Sequence, residues 1–258
     1  MAVNQLKAKM AGGGKALGTF FELGGMSVME CLGRTGLDFV IIDNEHGPFE
    51  TESTADYIRA AELGGITPLA RVREISRPAV LKLLDVGAKG LIVPCVETVE
   101  QVKKLVEYAK YAPVGRRGFS PSRKDAWGFD YPATEEIKEN MRICNEQTLL
   151  LPQCETVGCL EHIEEITEIE GVDGIFVGPF DLSISMGIPG EFQNPRFLEA
   201  VARILNACRN HHKYSVIFTG NLEAVNSYYE QGFDAVAYSM DAAVLVKAFR
   251  EIADKVTR

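Results

Sequence analysis

Short apolar runs recur along the chain, and between them lie segments whose apolar residues repeat at helical spacing. The runs are continuous rather than alternating, which is typical of strands that are covered on both faces. The intervening segments 98–111, 194–213 and 221–232 repeat apolar residues every three or four positions, as amphipathic helices do. The eight runs cover residues 16–23, 38–46, 67–72, 90–96, 148–155, 174–182, 214–220 and 234–240.

The order of these elements predicts the fold. A strand is followed by a helix eight times with no linker, and this alternation indicates parallel strands joined by right-handed crossovers. Eight such units in a chain of this length predict a single α/β domain over 1–258, a (β/α)8 TIM barrel. A doubly wound sheet is the alternative, but no GxGxxG follows the first strand. The AGGGK at 11–15 lacks a preceding strand and a GK[ST] ending, so it predicts a turn after a short N-terminal helix.

Composition and charge narrow the classes of function. The 258 residues are 46% hydrophobic, which suffices for a sizeable core, and the mean hydropathy of -0.01 is that of an ordinary globular protein. No apolar run reaches the roughly 18 residues of a membrane span, and the first 15 residues lack the apolar centre of a signal peptide. The net charge of -9 argues against a nucleic-acid partner. Six cysteines without a CxxC pair predict reduced thiols in a cytoplasmic protein.

Polar residues collect at the ends of four predicted strands. Because barrel enzymes carry their chemistry at the C-terminal ends of the strands, these positions should share one mouth. Strands 1, 4, 7 and 8 end more quietly, in Glu22, Pro94, Thr219 and Ser239. The polar ends belong to strands 2, 3, 5 and 6 and contain Asp43, Asn44, Glu45 and His46; Arg71; Gln153, Cys154 and Glu155; and Gly178, Pro179, Phe180 and Asp181.

Glu155 and Asp181 form the most informative pair. They end neighbouring strands, whose axes lie about 4.8 Å apart. Two carboxylates at that separation can both reach one ion with oxygens at roughly 2.0–2.6 Å, and an all-oxygen set suits a hard divalent cation such as Mg²⁺ or Mn²⁺. The alternative is that each carboxylate caps the helix that follows it.

Two further mouth residues carry candidate chemistry. Arg71 has the fork that binds a carboxylate, although it could instead form a salt bridge with a mouth carboxylate. His46 is the one histidine of four that is placed for proton transfer. No strand ends in lysine, since Lys89 and Lys213 precede their strands, and this disfavours imine chemistry.

One connection is longer than the rest. Residues 112–132 are rich in Gly, Pro and Arg and hold the only Trp, before a predicted helix at 133–146. Loops of this length are often functional. A surface loop or oligomer contact and a substrate-covering role are both open for it.

Taken together, the motifs resemble one family. DNEHG at 43–47, ARV around Arg71, GRRG at 115–118, LPQCE at 151–155 and VGPFDLS at 177–183 occur in the order found in the HpcH/HpaI aldolases. The resemblance runs from about residue 15 to the C-terminus. It implies a class II pyruvate aldolase of the 4-hydroxy-2-oxoheptanedioate or 2-dehydro-3-deoxyglucarate type, which needs a divalent ion (Mg²⁺ or Mn²⁺, with Co²⁺ as a further candidate).

The resemblance also implies roles for residues. Glu155 and Asp181 become the metal ligands, with water and pyruvate completing the shell. The substrate contacts become Arg71, Gln153 and the 178–181 turn (Gly178, Pro179, Phe180 and Asp181), where the N–H groups of Phe180 and Asp181 hold the pyruvate carboxylate. The catalytic set becomes His46, Arg71, Asp43 and Asp85, with Asp85 as the expected partner of His46. Asn44 and Cys154 depart from the family's usual Gly and Val.

Asp85 poses a geometric problem. It lies near the end of the third helix of the barrel, roughly 13 Å from a helix start near Ser76, and therefore away from its own mouth. A neighbouring subunit's His46 is easier for it to reach, so we expect an active site completed across an oligomer interface; a local hydrogen bond at a helix end is the alternative. The family implies a homo-oligomer (a hexamer or a trimer of dimers), with the C-terminal helix in oligomer contacts.

The predicted substrates are pyruvate and an aldehyde. The loops after strands 7 and 8 contain a single Gly, so a phosphorylated aldehyde is not indicated. An enolate-stabilising site would also decarboxylate oxaloacetate, which we expect as a side activity. The rival functions are a metal-dependent lyase of acyl-CoA esters, similar to the citrate lyase beta subunit, and a non-catalytic barrel. For the first, only loop 116–124 offers a basic track for CoA phosphates.

Overall fold

The eight apolar runs form eight parallel strands that close into a barrel. The computed structural model of the protein describes residues 3–129 and 134–256, without the side chains of 134–136. Each strand pairs in parallel with the next, and the last pairs with the first, which confirms the predicted (β/α)8 architecture. The strands are β1 (Ala16–Phe21), β2 (Phe39–Asp43), β3 (Thr67–Arg71), β4 (Gly90–Val93), β5 (Leu149–Cys154), β6 (Gly174–Val177), β7 (Tyr214–Thr219) and β8 (Ala235–Met240).

The helices lie where the amphipathic segments predicted them. Their starts carry ordinary capping side chains: Ser76, Thr98 and Asn221 each accept a hydrogen bond from a backbone N–H of the first turn. The described helices are α1 (Gln5–Ala11), α2 (Met26–Leu32), α3 (Thr51–Gly64), α4 (Arg77–Asp85), α5 (Val99–Ala109), α6 (Thr134–Gln147), α7 (Val157–Glu161), α8 (Ile163–Glu168), α9 (Pro179–Ser185), α10 (Pro195–Asn210), α11 (Leu222–Gln231) and α12 (Asp241–Lys255).

Two apolar cores hold the barrel together, one on each side of the sheet. The outer core packs the outward residues of the strands against the helices, and Cys154 belongs to it, since it alternates with the inward Gln153 on β5. The inner core fills the barrel and includes Leu6 and Met10 of α1, which close its N-terminal end. Because the interior is filled from below, the free space lies at the C-terminal mouth.

Strand alternation aims particular residues into that mouth. On β5 the inward residues Leu149 and Leu151 are followed by Gln153 at the C-terminal end. On β8 the register with β1 shifts beside Ser239, whose φ of 57° lies in the left-handed region. Strict alternation from Ala235 and Ala237 would point Met240 out of the barrel. Because of this irregularity, Met240 packs with the inner core.

The long connection folds away from its own barrel mouth in its described part. Arg123 donates to the backbone oxygen of Val86 and pairs with Glu62, both at the N-terminal side of the barrel. The side chains of Trp127 and Phe129 are 64% and 88% exposed. Residues 112–129 therefore leave this chain's own mouth uncovered, and residues 130–132 of the segment lie outside the described part.

Helix α12 extends from the barrel and carries an exposed apolar stripe. Asp241 at its start is buried, but from Ala243 onward every described residue of the helix is exposed. The stripe repeats at intervals of three and four residues and consists of Leu245, Phe249, Ile252 and Val256. Among the described residues no helix is long and apolar enough to cross a membrane.

Candidate active site

The mouth of the barrel contains a cavity of about 160 Å³ that gathers most of the predicted site residues. It draws on the ends of seven strands, and His46, Arg71 and Gln153 reach it from β2, β3 and β5. A cavity of about 200 Å³ lies outside the barrel beside α3 and α4, but its Arg73 is paired with Glu50. The mouth cavity is lined by Phe20, Glu22, His46, Arg71, Gln153, Phe176, Gly178, Pro179, Phe180, Asp181, Phe218 and Met240.

Arg71 is held at the mouth by two carboxylates. Its Nε and Nη2 donate to Asp43 at 2.9 and 2.5 Å, and its Nη1 lies 3.2 Å from Oε2 of Glu45. The guanidinium carbon is 4.8 Å from the centre of the Phe20 ring. Burial alone would lower the pKa of Arg71, but the hydrogen bonds and charge of Asp43 outweigh it and raise the pKa above its usual value. Arg71 therefore forms a salt bridge with Asp43, and its guanidinium is held in a fixed orientation at the cavity wall.

Asp43 organises the turn that follows β2. The carboxylate is fully buried, and its Oδ1 accepts hydrogen bonds from the backbone N–H groups of Glu45 and His46 at 3.0 and 3.3 Å. Its bonds reach the backbone of His46 rather than the imidazole, which is 70% exposed and lies 3.9 Å from Glu45. Asn44 ties the same turn to α3 by accepting a hydrogen bond from Thr54 at 2.7 Å. The turn therefore fixes Arg71 and leaves the imidazole free to meet a substrate.

Glu155 is a buried carboxylate in an acidic environment. Its Oε1 accepts the backbone N–H of Cys95 at 2.6 Å, and its Oε2 accepts a hydrogen bond from Nε2 of Gln153. Burial raises the pKa of Glu155; the Cys95 N–H opposes this rise, and the carboxylates of Asp181 and Glu45 add to it. Thr156 caps α7, so Glu155 has no capping role there. Glu155 is thus not used by the following helix; it is hydrogen-bonded to Gln153, which lines the cavity.

The arrangement fits a divalent cation. Oε1 of Gln153 is buried and has no hydrogen-bond partner among the described residues. A Cβ on Gly178 would lie 2.8 Å from Nε2 of Gln153 and 2.9 Å from Oε2 of Glu155, so a side chain at this position would displace both groups. No group of three His, Cys, Asp or Glu side chains in the described ranges is placed to hold a metal. Two carboxylates alone would leave several coordination positions to substrate and water.

Asp85 lies outside the cavity. Its carboxylate accepts a hydrogen bond from Arg117 at 2.7 Å and is 3.7 Å from Nζ of Lys124, and both cations are buried. These partners come from the long connection rather than from its own helix. Within the described chain Asp85 does not meet His46, so its pairing with that residue stays a prediction about a second subunit.

The lysines are placed as the sequence predicted. Lys89 pairs with Glu62, and Lys213 donates to the backbone oxygen of Val172, both on the N-terminal side of the barrel. Of the described lysines, none lines the mouth cavity. Imine chemistry at this mouth therefore has no candidate amine.

Sequence reasoning gave no role to three residues that the structure brings to this site. Glu45 pairs with Arg71, Cys95 donates its N–H to Glu155, and Glu22 lines the cavity. Alternation along β1 could have revealed Glu22, because Ala16 and Phe20 of that strand point inward. The contribution of Cys95 depends on a backbone φ of 54°, which no side-chain pattern signals.

Comparison with known proteins gives a consistent result. The family model described as HpcH/HpaI aldolase/citrate lyase matches residues 17–248. A hydroxypyruvate/pyruvate aldolase of Roseobacter denitrificans is 31% identical over 253 residues, which are 98% of this chain and 97% of that protein. A 4-hydroxy-2-oxo-heptane-1,7-dioate aldolase of Shigella flexneri is 29% identical and covers 97% and 92%. The crystal structure of an HpcH/HpaI aldolase from Desulfitobacterium hafniense superposes with a TM-score of 0.90 at 27% identity, covering 98% of this chain and 97% of that one.

Proposed function

This chain belongs to the HpcH/HpaI aldolase/citrate lyase family, and on that premise we propose that it is a divalent-metal-dependent aldolase. It cleaves or forms 4-hydroxy-2-oxo acids through a pyruvate enolate and yields pyruvate and an aldehyde. The observation that carries the proposal is the pair of Gln153 and Glu155, buried side by side with an unpartnered amide oxygen, next to Arg71.

Pyruvate binds at the end of the cavity where β5 and β6 meet. Glu155 and Asp181 would hold the ion, and the amide of Gln153 contacts the substrate beside them. Gly178 and Pro179 form the turn into α9, and Phe180 and Asp181 stand in its first turn, where backbone N–H groups lack intrahelical acceptors. These N–H groups receive the pyruvate carboxylate.

The chemistry requires an electron sink and a proton carrier. A bound Mg²⁺ or Mn²⁺ would supply the Lewis acidity that makes the methyl protons of pyruvate acidic. Arg71, oriented by Asp43, stabilises the negative charge that develops on the enolate oxygen. In cleavage, His46 accepts the proton of the 4-hydroxyl group directly or through a water, and the bond between C3 and C4 then breaks. In the reverse direction, the aldol addition, His46 returns this proton to the new hydroxyl group.

Exchange of the pyruvate methyl protons tests this function without knowledge of the aldehyde. We expect the chelator-treated protein in D₂O to leave the methyl NMR signal intact. Addition of Mn²⁺ or Mg²⁺ should produce exchange at least about tenfold above the metal-free rate, because enolate formation depends on Lewis acidity. Absence of exchange with every divalent ion tested, also in the presence of short aldehydes, would contradict the proposal.

The rival within the same family is a lyase that acts on acyl-CoA esters. Three of the four basic residues of loop 116–124 are committed elsewhere, since Arg117 and Lys124 are buried with Asp85 and Arg123 pairs with Glu62; Arg116 alone is exposed. This favours pyruvate over a CoA ester.

Metal-dependent decarboxylation of oxaloacetate remains an expected side activity, because it passes through the same enolate. All six cysteines are free thiols, which suits the cytoplasmic location that we propose.

We also propose that the working enzyme is a homo-oligomer, which the family resemblance puts at a hexamer or a trimer of dimers. The exposed stripe on α12 offers an apolar contact face, and Phe249 at its centre is 62% exposed. Asp85 stands with Arg117 and Lys124 at the opposite end of the barrel from its own mouth, where a second subunit could present its His46. The active site would then combine residues of two chains.

Mixed oligomers test this shared site. Asp85→Asn and His46→Ala should each abolish cleavage, whereas co-expression of both variants should restore about a quarter of the wild-type activity, because a random mixture pairs two intact residues at a quarter of the sites. Introducing Phe249→Asp into both variants should remove the rescue and lower the mass measured by light scattering. Retention of full activity by a monodisperse monomer would contradict the shared site.

A further inference from the structure

The mouth cavity has two chemically different ends. Gln153 and Asp181 line one end at β5 and β6, and Glu155 is hydrogen-bonded to Gln153 there. Because the eight strands close in sequence order, β1 lies four strands away from β5 and faces it across the mouth. The far wall consists of Phe20 and Glu22 from β1 together with Phe218 and Met240 from β7 and β8. If pyruvate occupies the first end, the far wall meets the aldehyde.

Glu22 is the one acidic residue of this far wall, and it is placed firmly. It follows Phe20 by two positions, so the inward alternation of β1 carries it to the rim of the cavity. Its backbone N–H donates to the buried carboxylate of Asp241 at 2.9 Å, and the next N–H, that of Leu23, donates to the same carboxylate at 3.2 Å. The turn after β1 is therefore anchored to the start of α12.

The Glu22 carboxylate has no partner of its own. It is half-buried, and no described residue donates a hydrogen bond to it or forms an ion pair with it. Arg71, the one Lys or Arg side chain among the described residues lining the cavity, is bound by Asp43 and Glu45. Burial raises the pKa of Glu22, the charges of Asp43 and Asp241 raise it further, and those of Arg71 and His46 oppose the rise. A free acceptor oxygen thus faces the cavity in surroundings that disfavour added negative charge.

We propose that Glu22 determines the acceptor specificity of the enzyme. Its carboxylate accepts hydrogen bonds from the hydroxyl groups of short neutral hydroxyaldehydes and repels aldehydes that carry a carboxylate or phosphate group. The small cavity restricts the acceptor to a few carbons, and the rings of Phe20 and Phe218 cover its apolar face. This inference rests on the proposed aldolase function and names the substrate class of its second site.

Selectivity between two aldehydes tests the inference. With pyruvate and Mn²⁺ held constant, kcat/KM is measured for glyceraldehyde and for succinic semialdehyde, and methyl exchange of pyruvate is followed in the same preparations. The wild type should prefer glyceraldehyde. Glu22→Gln should lower kcat/KM for glyceraldehyde about tenfold, as the loss of a hydrogen bond to a charged group predicts, and should raise it for succinic semialdehyde. Glu22→Lys should reverse the preference.

Controls separate this inference from the proposed function. Glu199→Gln removes one exposed carboxylate from α10 and should leave both aldehydes unaffected. Methyl exchange reports the donor end of the site, so kcat/KM for each aldehyde is compared with the exchange rate of the same variant. Normal exchange with an unaltered aldehyde preference would overturn the inference and leave the aldolase proposal standing. An equal loss for both aldehydes would also overturn it, and absence of exchange in the wild type would overturn both.

Discussion

Replacing Glu155 with glutamine is expected to reduce metal-dependent methyl exchange of pyruvate by about a thousandfold or more. The substitution keeps the shape of the side chain and its ability to accept the N–H of Cys95, but it removes the negative charge from one of two proposed ligands. Asp181 alone would then face the ion. Glu97→Gln is a matched control, since Glu97 is exposed beyond the end of β4 and contributes nothing to the cavity.

The same substitution should stabilise the metal-free protein. The pKa of Glu155 is raised in the folded state, so the protonated carboxyl favours folding, and the ionised form makes the metal-free protein less stable as the pH rises through that pKa. Glutamine removes this cost at neutral pH, and a flip of the Gln153 amide lets its free Oε1 accept the new N–H group. We expect the melting temperature without metal to rise by about 2 °C, the shift that about 1 kcal/mol gives in a chain of this size.

In Glu155→Gln the melting temperature without metal should therefore rise while the rate of methyl exchange falls. A simple folding defect would lower the melting temperature and activity together, whereas a ligand role predicts higher stability, lost exchange and lost stabilisation by Mn²⁺. Unchanged stabilisation by Mn²⁺ in Glu155→Gln would show that the ion binds elsewhere. Thermal melting with and without Mn²⁺, at neutral and mildly acidic pH, separates these cases.

The sequence predicted the barrel well because the signals for it are local. Continuous apolar runs mark buried parallel strands, and all eight runs contain the observed strands, with the first seven extending beyond the strand's C-terminal end. The excess at β2 and β6 arose because the first residues after each strand, Asn44 and then Gly178 and Pro179, are still buried although strand pairing has ended. At the C-terminal mouth, burial continues past the last paired residue of a strand, so apolar patterning places the strand ends only to within a few residues.

Contacts between elements were harder to predict. Arg71 could have served as an anion holder or as a salt-bridge partner, and the structure shows that pairing with Asp43 is what orients it toward the cavity. For Asp85, helix geometry correctly excluded its own mouth, but the actual partners come from the irregular connection after α5. Such loops follow no periodic pattern, so their contacts are visible only in three dimensions.

Arg71→Lys is expected to lower kcat for aldol cleavage by about two to three orders of magnitude, because a lysine keeps the charge but cannot reproduce the two parallel hydrogen bonds to Asp43. Lysine is preferable to alanine here: the Asp43 side chain is fully buried, and leaving it without a cation would cost about 3–5 kcal/mol of stability. Arg73→Lys makes the same change two positions later on the outside of the barrel and should preserve activity.

A double-mutant cycle distinguishes orientation from charge. If Asp43 acts by holding the guanidinium, Asp43→Asn should cost about a hundredfold in the wild type but only a few-fold in Arg71→Lys, where there is no fork left to orient. If Asp43 instead belongs to the acid/base apparatus of His46, the two losses should multiply, and the pH profile of kcat should change in Asp43→Asn. Coupled losses with an unchanged pH profile would make Asp43 a positioning residue, and would explain why a buried strand ends in a carboxylate that no substrate reaches.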